Sequence, residues 1–157
     1  MVTDIIQIDS VEMILKLGTA LLLGMSLGIE RAIAGKTAGM RTYGLVTMGS
    51  ALFVIISIFA AGGLSSQESI RESLRFSSQI LPGIGFIGAG LIIFRGSKIS
   101  GITTAAGIWV SAGIGASVGY GLYFLAVAAT VLALIIFTSF WYIENKVKAL
   151  AHFSHED

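Results

Sequence analysis

Residues 11–29, 43–61, 76–94, 102–118 and 122–143 form apolar runs, and most of the charged residues fall between them. A membrane-spanning helix needs about 20 predominantly apolar residues, so each run has the length of a span. Glu12 and Lys16 interrupt the first run, and Gln79 and Pro82 lie within the third. The fourth is rich in Gly, Ala, Ser and Thr, and the fifth is the most uniformly apolar. The pattern predicts an all-α polytopic membrane protein with five transmembrane helices over residues 1–145 and a short polar tail over 146–157. Between the second and third runs, Ser65 and Glu68 have the spacing of a capping box. Ile70 and Leu74 are four apart, while Glu68–Arg71 and Glu72–Arg75 are three apart. A short amphipathic helix is expected there, leading into the third span.

Composition excludes other classes. Of 157 residues, 55% are hydrophobic and 12% charged, too apolar for a soluble domain of this size. Disorder requires the opposite balance. With no cysteine, disulfide frameworks and cysteine-ligated zinc are excluded. A net charge of +1 gives no nucleic-acid signal. Asp4 and Asp9 stand where a signal peptide would be basic. Short connections leave no room for a separate soluble domain.

Charge sets the expected orientation. Arg31, Lys36, Arg41, Arg95, Lys98, Lys146 and Lys148 fall on one side of a five-helix chain, and Lys16, Arg71 and Arg75 on the other. The positive-inside rule then places the C-terminus in the cytoplasm and the N-terminus outside. Trp141 and Tyr142 would mark the inner interface.

Small residues mark contact faces in lipid. Ala20, Gly24 and Gly28 recur every four residues in the first span; Gly107, Ser111, Gly115 and Gly119 do so in the fourth, beside a second row of Gly113, Ser117 and Gly121. The fourth helix is expected at the centre, touching the first and third through these rows, with the fifth facing lipid. Gly83, Gly85, Gly88 and Gly90 follow Pro82 in the third span. Close helix approach is the preferred reading there; a broken helix offering its backbone to a substrate is the other. Without a βαβ context this is no dinucleotide fingerprint.

Ionisable residues at span ends are the candidate functional network: Glu30, Arg31, Arg41, Thr42, Arg95, Thr103 and Thr104. Ser100 is expected to cap the fourth span. Glu30, Arg41 and the threonine pair are expected to hydrogen-bond together, with Arg31, Lys36 and Lys98 read as a solvated basic collar. No catalytic set is legible: His152 and His155 lie in the polar tail, and no nucleophile–base–acid arrangement exists. No cofactor site and no metal-ligand set is assigned. Magnesium prefers carboxylates with retained waters; of the acids in the spans, Glu12 and Glu30 fall near opposite faces. Arg41, Arg95 and the start of the fourth span would suit an anion.

The segments GIERAIAGKTAGMRTYGLVTMGSALF (28–53), RFSSQILPGIGFIGAGLI (75–92) and GITTAAGIWVSAGIGASVGYG (101–121) resemble the transmembrane domain of the MgtC/SapB family. Gly24, Gly28, Glu30 and Arg31 match its first element, and Ala38, Gly39, Arg41 and Thr42 its second. Gly83, Ile84, Gly85, Phe86, Gly88, Ala89 and Gly90 match the third, and Gly101, Thr103, Thr104, Ala105, Ala106 and Trp109 the fourth. Tyr43 replaces the histidine or asparagine often found there. The resemblance implies a multi-pass protein of the bacterial cytoplasmic (inner) membrane, linked to magnesium homeostasis and growth in low magnesium and, in some members, to virulence. It also implies a regulator acting by helix contacts on integral membrane partners such as ATP synthase, or on ion and phosphate uptake, rather than an enzyme. Transport of magnesium or phosphate is the alternative. Expected partners are membrane lipid and other integral membrane proteins, with a homo-oligomer left open and no nucleic acid. Some members add a cytoplasmic C-terminal domain, which a chain ending at Asp157 is expected to lack.

Overall fold

The computed structural model describes residues 10–96 and 98–140. The polar tail, with Trp141, Tyr142, Lys146, Lys148 and both histidines, lies outside the described residues. The helices are α1 (Ser10–Ile33), α2 (Met40–Ala60), α3 (Gln67–Ser77), α4 (Ile80–Gly90), α5 (Ile102–Gly119) and α6 (Tyr123–Ile135). The last of these continues as a π-helical turn, Ile136–Phe140. Strands β1 (Ile93–Arg95) and β2 (Lys98–Ser100) pair antiparallel between α4 and α5, with Phe94 opposite Ile99. α1, α2 and α5 are long and apolar enough to cross a membrane; the apolar helix that follows Leu122 is shorter.

α2 is the central element, flanked by α1 and α5. Its neighbours present glycine to it from both sides. A Cβ on Gly24 of α1 would fall on the Thr47 side chain, and one on Gly28 would fall on the Met40 backbone. A Cβ on Gly115 of α5 would fall on the Thr47 carbonyl, and one on Gly119 would lie 2.6 Å from the Val54 Cβ. Backbones approach this closely where side chains shrink to hydrogen, which maximises dispersion contact where lipid offers no hydrophobic gain. The centre of the bundle is therefore α2, not the fourth span. The glycine row of α5 serves α2 rather than α1 and α4, although α5 also touches both. The second row does not pack, since the Cβ position at Gly113 meets nothing within 4 Å.

The third apolar run is not one helix. α3 ends at Ser77 and α4 begins at Ile80. Pro82 has no N–H to give the Ser78 carbonyl, which takes the Leu81 N–H at 3.2 Å instead. Eleven residues of α4 rise about 16 Å, roughly half the hydrocarbon thickness. Of its glycines, Gly88 meets Ala105 of α5, whereas Gly83, Gly85 and Gly90 face open space. Close packing thus holds at one of the four positions.

Two caps differ from the sequence reading. α3 is capped by Ser66, whose hydroxyl accepts from the Ser69 N–H at 3.1 Å, with the Ser69 side chain reciprocating. α5 starts after Gly101, not Ser100. Gly101 has φ +92°, and a Cβ there would strike the Leu91 carbonyl, so glycine is required on both counts. α6 buries Ala126, Thr130 and Ala133 and exposes most of its remaining surface, with Phe124 89% exposed.

Candidate functional site

The buried stripe of α1 runs Lys16, Ala20, Gly24, Leu27, Gly28, Arg31, at the three- and four-residue intervals of one helix face. Arg31 is therefore carried into the bundle and is only 3% exposed. Its Nε donates to the Glu30 carboxylate, and its Nη2 donates to the Phe137 carbonyl at 3.3 Å. The guanidinium carbon lies 3.8 Å from the centre of the Phe137 ring, a cation–π arrangement. Beside this cluster a cavity of about 670 Å³ is lined by Ser26, Ile29, Glu30, Ile33, Phe137 and Thr138. The π-turn that begins at Ile136 presents Phe137 here, and such turns are frequent at functional positions.

Arg41 takes no part. It is exposed, and no hydrogen bond or ion pair joins it to Glu30 among the described residues. Two residues along a helix is a rotation of 200°, so when Tyr43 faces the core, Arg41 faces away. The expected Glu30–Arg41–threonine network is replaced by Glu30–Arg31–Phe137, and the residue read as solvated collar is the buried one. Thr103 is exposed, and Thr42 is half-buried. Thr104 is buried, and its carbonyl accepts from the Tyr43 hydroxyl at 3.4 Å. Arg95 is placed by its backbone in β1, paired with Lys98. Trp109 is 53% exposed and outside the glycine contacts.

Hydroxyls hold the interior together; of these, Ser111 was expected only as a small contact residue, and the others were not singled out. The Thr47 and Ser111 hydroxyl oxygens are 2.5 Å apart across α2 and α5 and lie 2.8 and 3.3 Å from the Tyr43 carbonyl, so one hydroxyl donates to that carbonyl while accepting the proton of the other. At the other end of α2, Ser57 meets Ser73 of α3 at 2.9 Å, and the Tyr120 hydroxyl meets Ser77 at 2.6 Å and Ser73 at 3.3 Å. Ser69, Ser73 and Ser77, each four apart, were the available signal. Lys16 is buried and pairs with Glu12 at 2.9 Å. Among the described residues no group of three His, Cys, Asp or Glu could hold a metal ion.

Long apolar helices joined through glycine faces and satisfied internal hydroxyls define a helical membrane protein. Residues 17–146 match the model of the MgtC family, and the chain belongs to that family. It is 40% identical over 82% of its length to the putative magnesium transporter YhiD of Escherichia coli K12, covering 60% of that protein. It is 38% identical to protein SapB of Bacillus subtilis, over 79% of this chain and 54% of that one. Against protein MgtC of Salmonella typhimurium LT2 the identity is 42%, over 77% and 49% of the two chains. The chain thus spans about half to three-fifths of the length of these relatives. No solved structure matches it.

Proposed function

We propose that this chain is a non-enzymatic regulator of the bacterial cytoplasmic membrane. It crosses five times with its N-terminus outside, and it acts by helix contacts on other integral membrane proteins. Those partners include ATP synthase or ion and phosphate uptake systems, and the setting is adaptation to low magnesium or to a host. The observation that carries this reading is the set of glycine positions left open once the bundle is packed. Gly83, Gly85 and Gly90 of α4 and Gly113 of α5 meet nothing within 4 Å, and Phe86 beside them is 84% exposed. In lipid, small residues of this kind serve contacts between helices. The pairing of Glu30 with Arg31 supports it as well, because magnesium would need that carboxylate unneutralised.

Magnesium or phosphate transport is the second reading. It draws on the break between α3 and α4, since discontinuous helices build the binding sites of many transporters, and on the name given to the Escherichia coli relative. Purified protein in sealed liposomes separates the two. Regulation requires no saturable magnesium or phosphate flux, together with loss of low-magnesium growth on Gly85→Leu or Gly113→Leu at normal protein level. Saturable flux abolished by Glu30→Ala establishes transport instead.

A further inference from the structure

A second site lies along α2 and reaches the C-terminal end of that helix, away from Arg31, in two adjoining parts. The first is an apolar groove of about 540 Å³ between α2 and α4, floored by Gly49 and Gly83 and walled by Leu45, Phe53, Ile84 and Ile87. Its volume falls within the range of ligand pockets. The second is a polar mouth of about 390 Å³ between the C-terminal end of α2 and α3, containing Ser57, Glu72 and Arg75. Phe76 and Gln79 line both parts, so mouth and groove adjoin. From Leu45 to Phe53 the groove follows α2 for about 12 Å, near the thickness of one leaflet's hydrocarbon.

We infer that this site binds one phospholipid with a zwitterionic, amine-bearing head group, of the phosphatidylethanolamine type. The inference shares Gly83 with the regulatory reading, whose other open glycines, Gly85, Gly90 and Gly113, line no part of this groove. α3 has the character of an interfacial helix: Ser69, Ser73 and Ser77 are buried toward the bundle, while Ile70, Leu74 and its charged residues are exposed. The mouth therefore lies at head-group level and the groove beneath it at acyl-chain level.

Charge selects the head group. Glu72 and Arg75 are three apart on α3, yet they form no ion pair with each other or with any other described residue. Both charges are available to a ligand carrying the opposite pair. The Arg75 fork takes two phosphate oxygens, and the Glu72 carboxylate accepts from a primary ammonium, which offers three N–H donors. Gln79, at the junction, supplies an amide to the ester carbonyls. A choline head group has no N–H for Glu72, and a glycerol head group brings no cation, leaving Glu72 facing an anionic lipid. One acyl chain fills the groove over Gly49 and Gly83, where nothing else approaches within 4 Å.

Native mass spectrometry of the full chain, exchanged into micelles with equal amounts of phosphatidylethanolamine, phosphatidylcholine and phosphatidylglycerol of matched chains, tests this. The expected result is at least fivefold preferential retention of phosphatidylethanolamine. Glu72→Gln should bring that preference down to the phosphatidylcholine level without lowering phosphatidylcholine retention. Arg75→Gln should weaken all three lipids, and Gly83→Leu should expel them by filling the groove while helical content stays normal. Equal retention of the three lipids by the unmodified chain overturns the proposal, as does an unchanged preference in Glu72→Gln. Cross-linking of two copies through position 53 with no lipid retained assigns the groove to self-association and overturns it too.

Discussion

Arg31 and Phe137, 106 residues apart in the chain, meet at the end of the bundle. The guanidinium donates to the Phe137 carbonyl at 3.3 Å and covers the ring of the same residue at 3.8 Å. This double contact fastens the C-terminal end of α1 to the turn in which α6 changes from α- to π-helix. Glu30 neutralises the charge, so a cation is held in the interior without an isolated Born penalty.

Removing one member of this cluster leaves the other uncompensated. Arg31→Ala is expected to destabilise the fold by several kcal/mol, below the about 3–5 kcal/mol of a fully buried pair because the Glu30 side chain is 18% exposed. Arg31→Lys should recover only part, since lysine has no planar fork and stacks poorly on a ring. Arg41→Ala, on an exposed side chain, should stay within about 0.5 kcal/mol. Chemical unfolding in detergent ranks the three, and an Arg41 effect equal to that of Arg31 contradicts the pairing.

The two glycine rows of α5 should respond oppositely to the same substitution. Gly115→Leu drives a side chain into the Thr47 carbonyl, backbone that cannot yield, and should cost at least the about 1–3 kcal/mol of ordinary overpacking. Gly113→Leu meets open space and should leave the folded yield unchanged. Ala133→Leu, at a buried position of α6, should also be destabilising. Thermal unfolding of the three variants measures the contrast.

Thr47 and Ser111 should be energetically coupled. Their hydroxyls are 2.5 Å apart and share the Tyr43 carbonyl. Interhelical hydrogen bonds in membranes average about 0.6 kcal/mol and reach about 1.7 kcal/mol. A cycle of Thr47→Val, Ser111→Ala and the double variant should return a coupling in that range, because each single change leaves the partner hydroxyl short of one bond. Additive losses contradict it.

Tyr120→Phe should free α3 without unfolding the bundle. The phenol, at the end of α5, is held by Ser77 and Ser73 of α3, and its loss leaves Ser57–Ser73 as the side-chain hydrogen bond between α3 and the bundle among the described residues. Amide exchange within Gln67–Ser77 should accelerate while α2 and α5 stay protected. Uniform acceleration across all helices would show that α3 is no separate unit.

The lengths of the apolar runs follow from a local constraint. Every backbone N–H and C=O in lipid must be satisfied within its own helix, so α1, α2 and α5 are legible from hydrophobicity alone. The glycine rows are legible for the same reason, since spacing on one helix depends only on that helix. The amphipathic α3 was legible as well, although its cap moved by one residue to Ser66. Pro82 and its glycines were visible in the third run, but the sequence left open whether the helix continues or breaks; it breaks, and α4 begins afresh at Ile80.

Which neighbour each face meets is not local. It depends on the order and rotation of helices joined by short connections, and a small rotation exchanges one stripe for the next. That is why the row on α5 meets α2, and why Arg31 is buried while Arg41 is exposed, although both sit in matching motifs at span ends. The sequence determined that these are membrane helices with small faces and one acid–base cluster. Only the tertiary structure decided that α2 is the centre and that Phe137, far along the chain, completes the Arg31 site. It also decided that Gly83, Gly85 and Gly90 remain open, because contact between distant segments is a property of the packed bundle and of no single stretch of sequence.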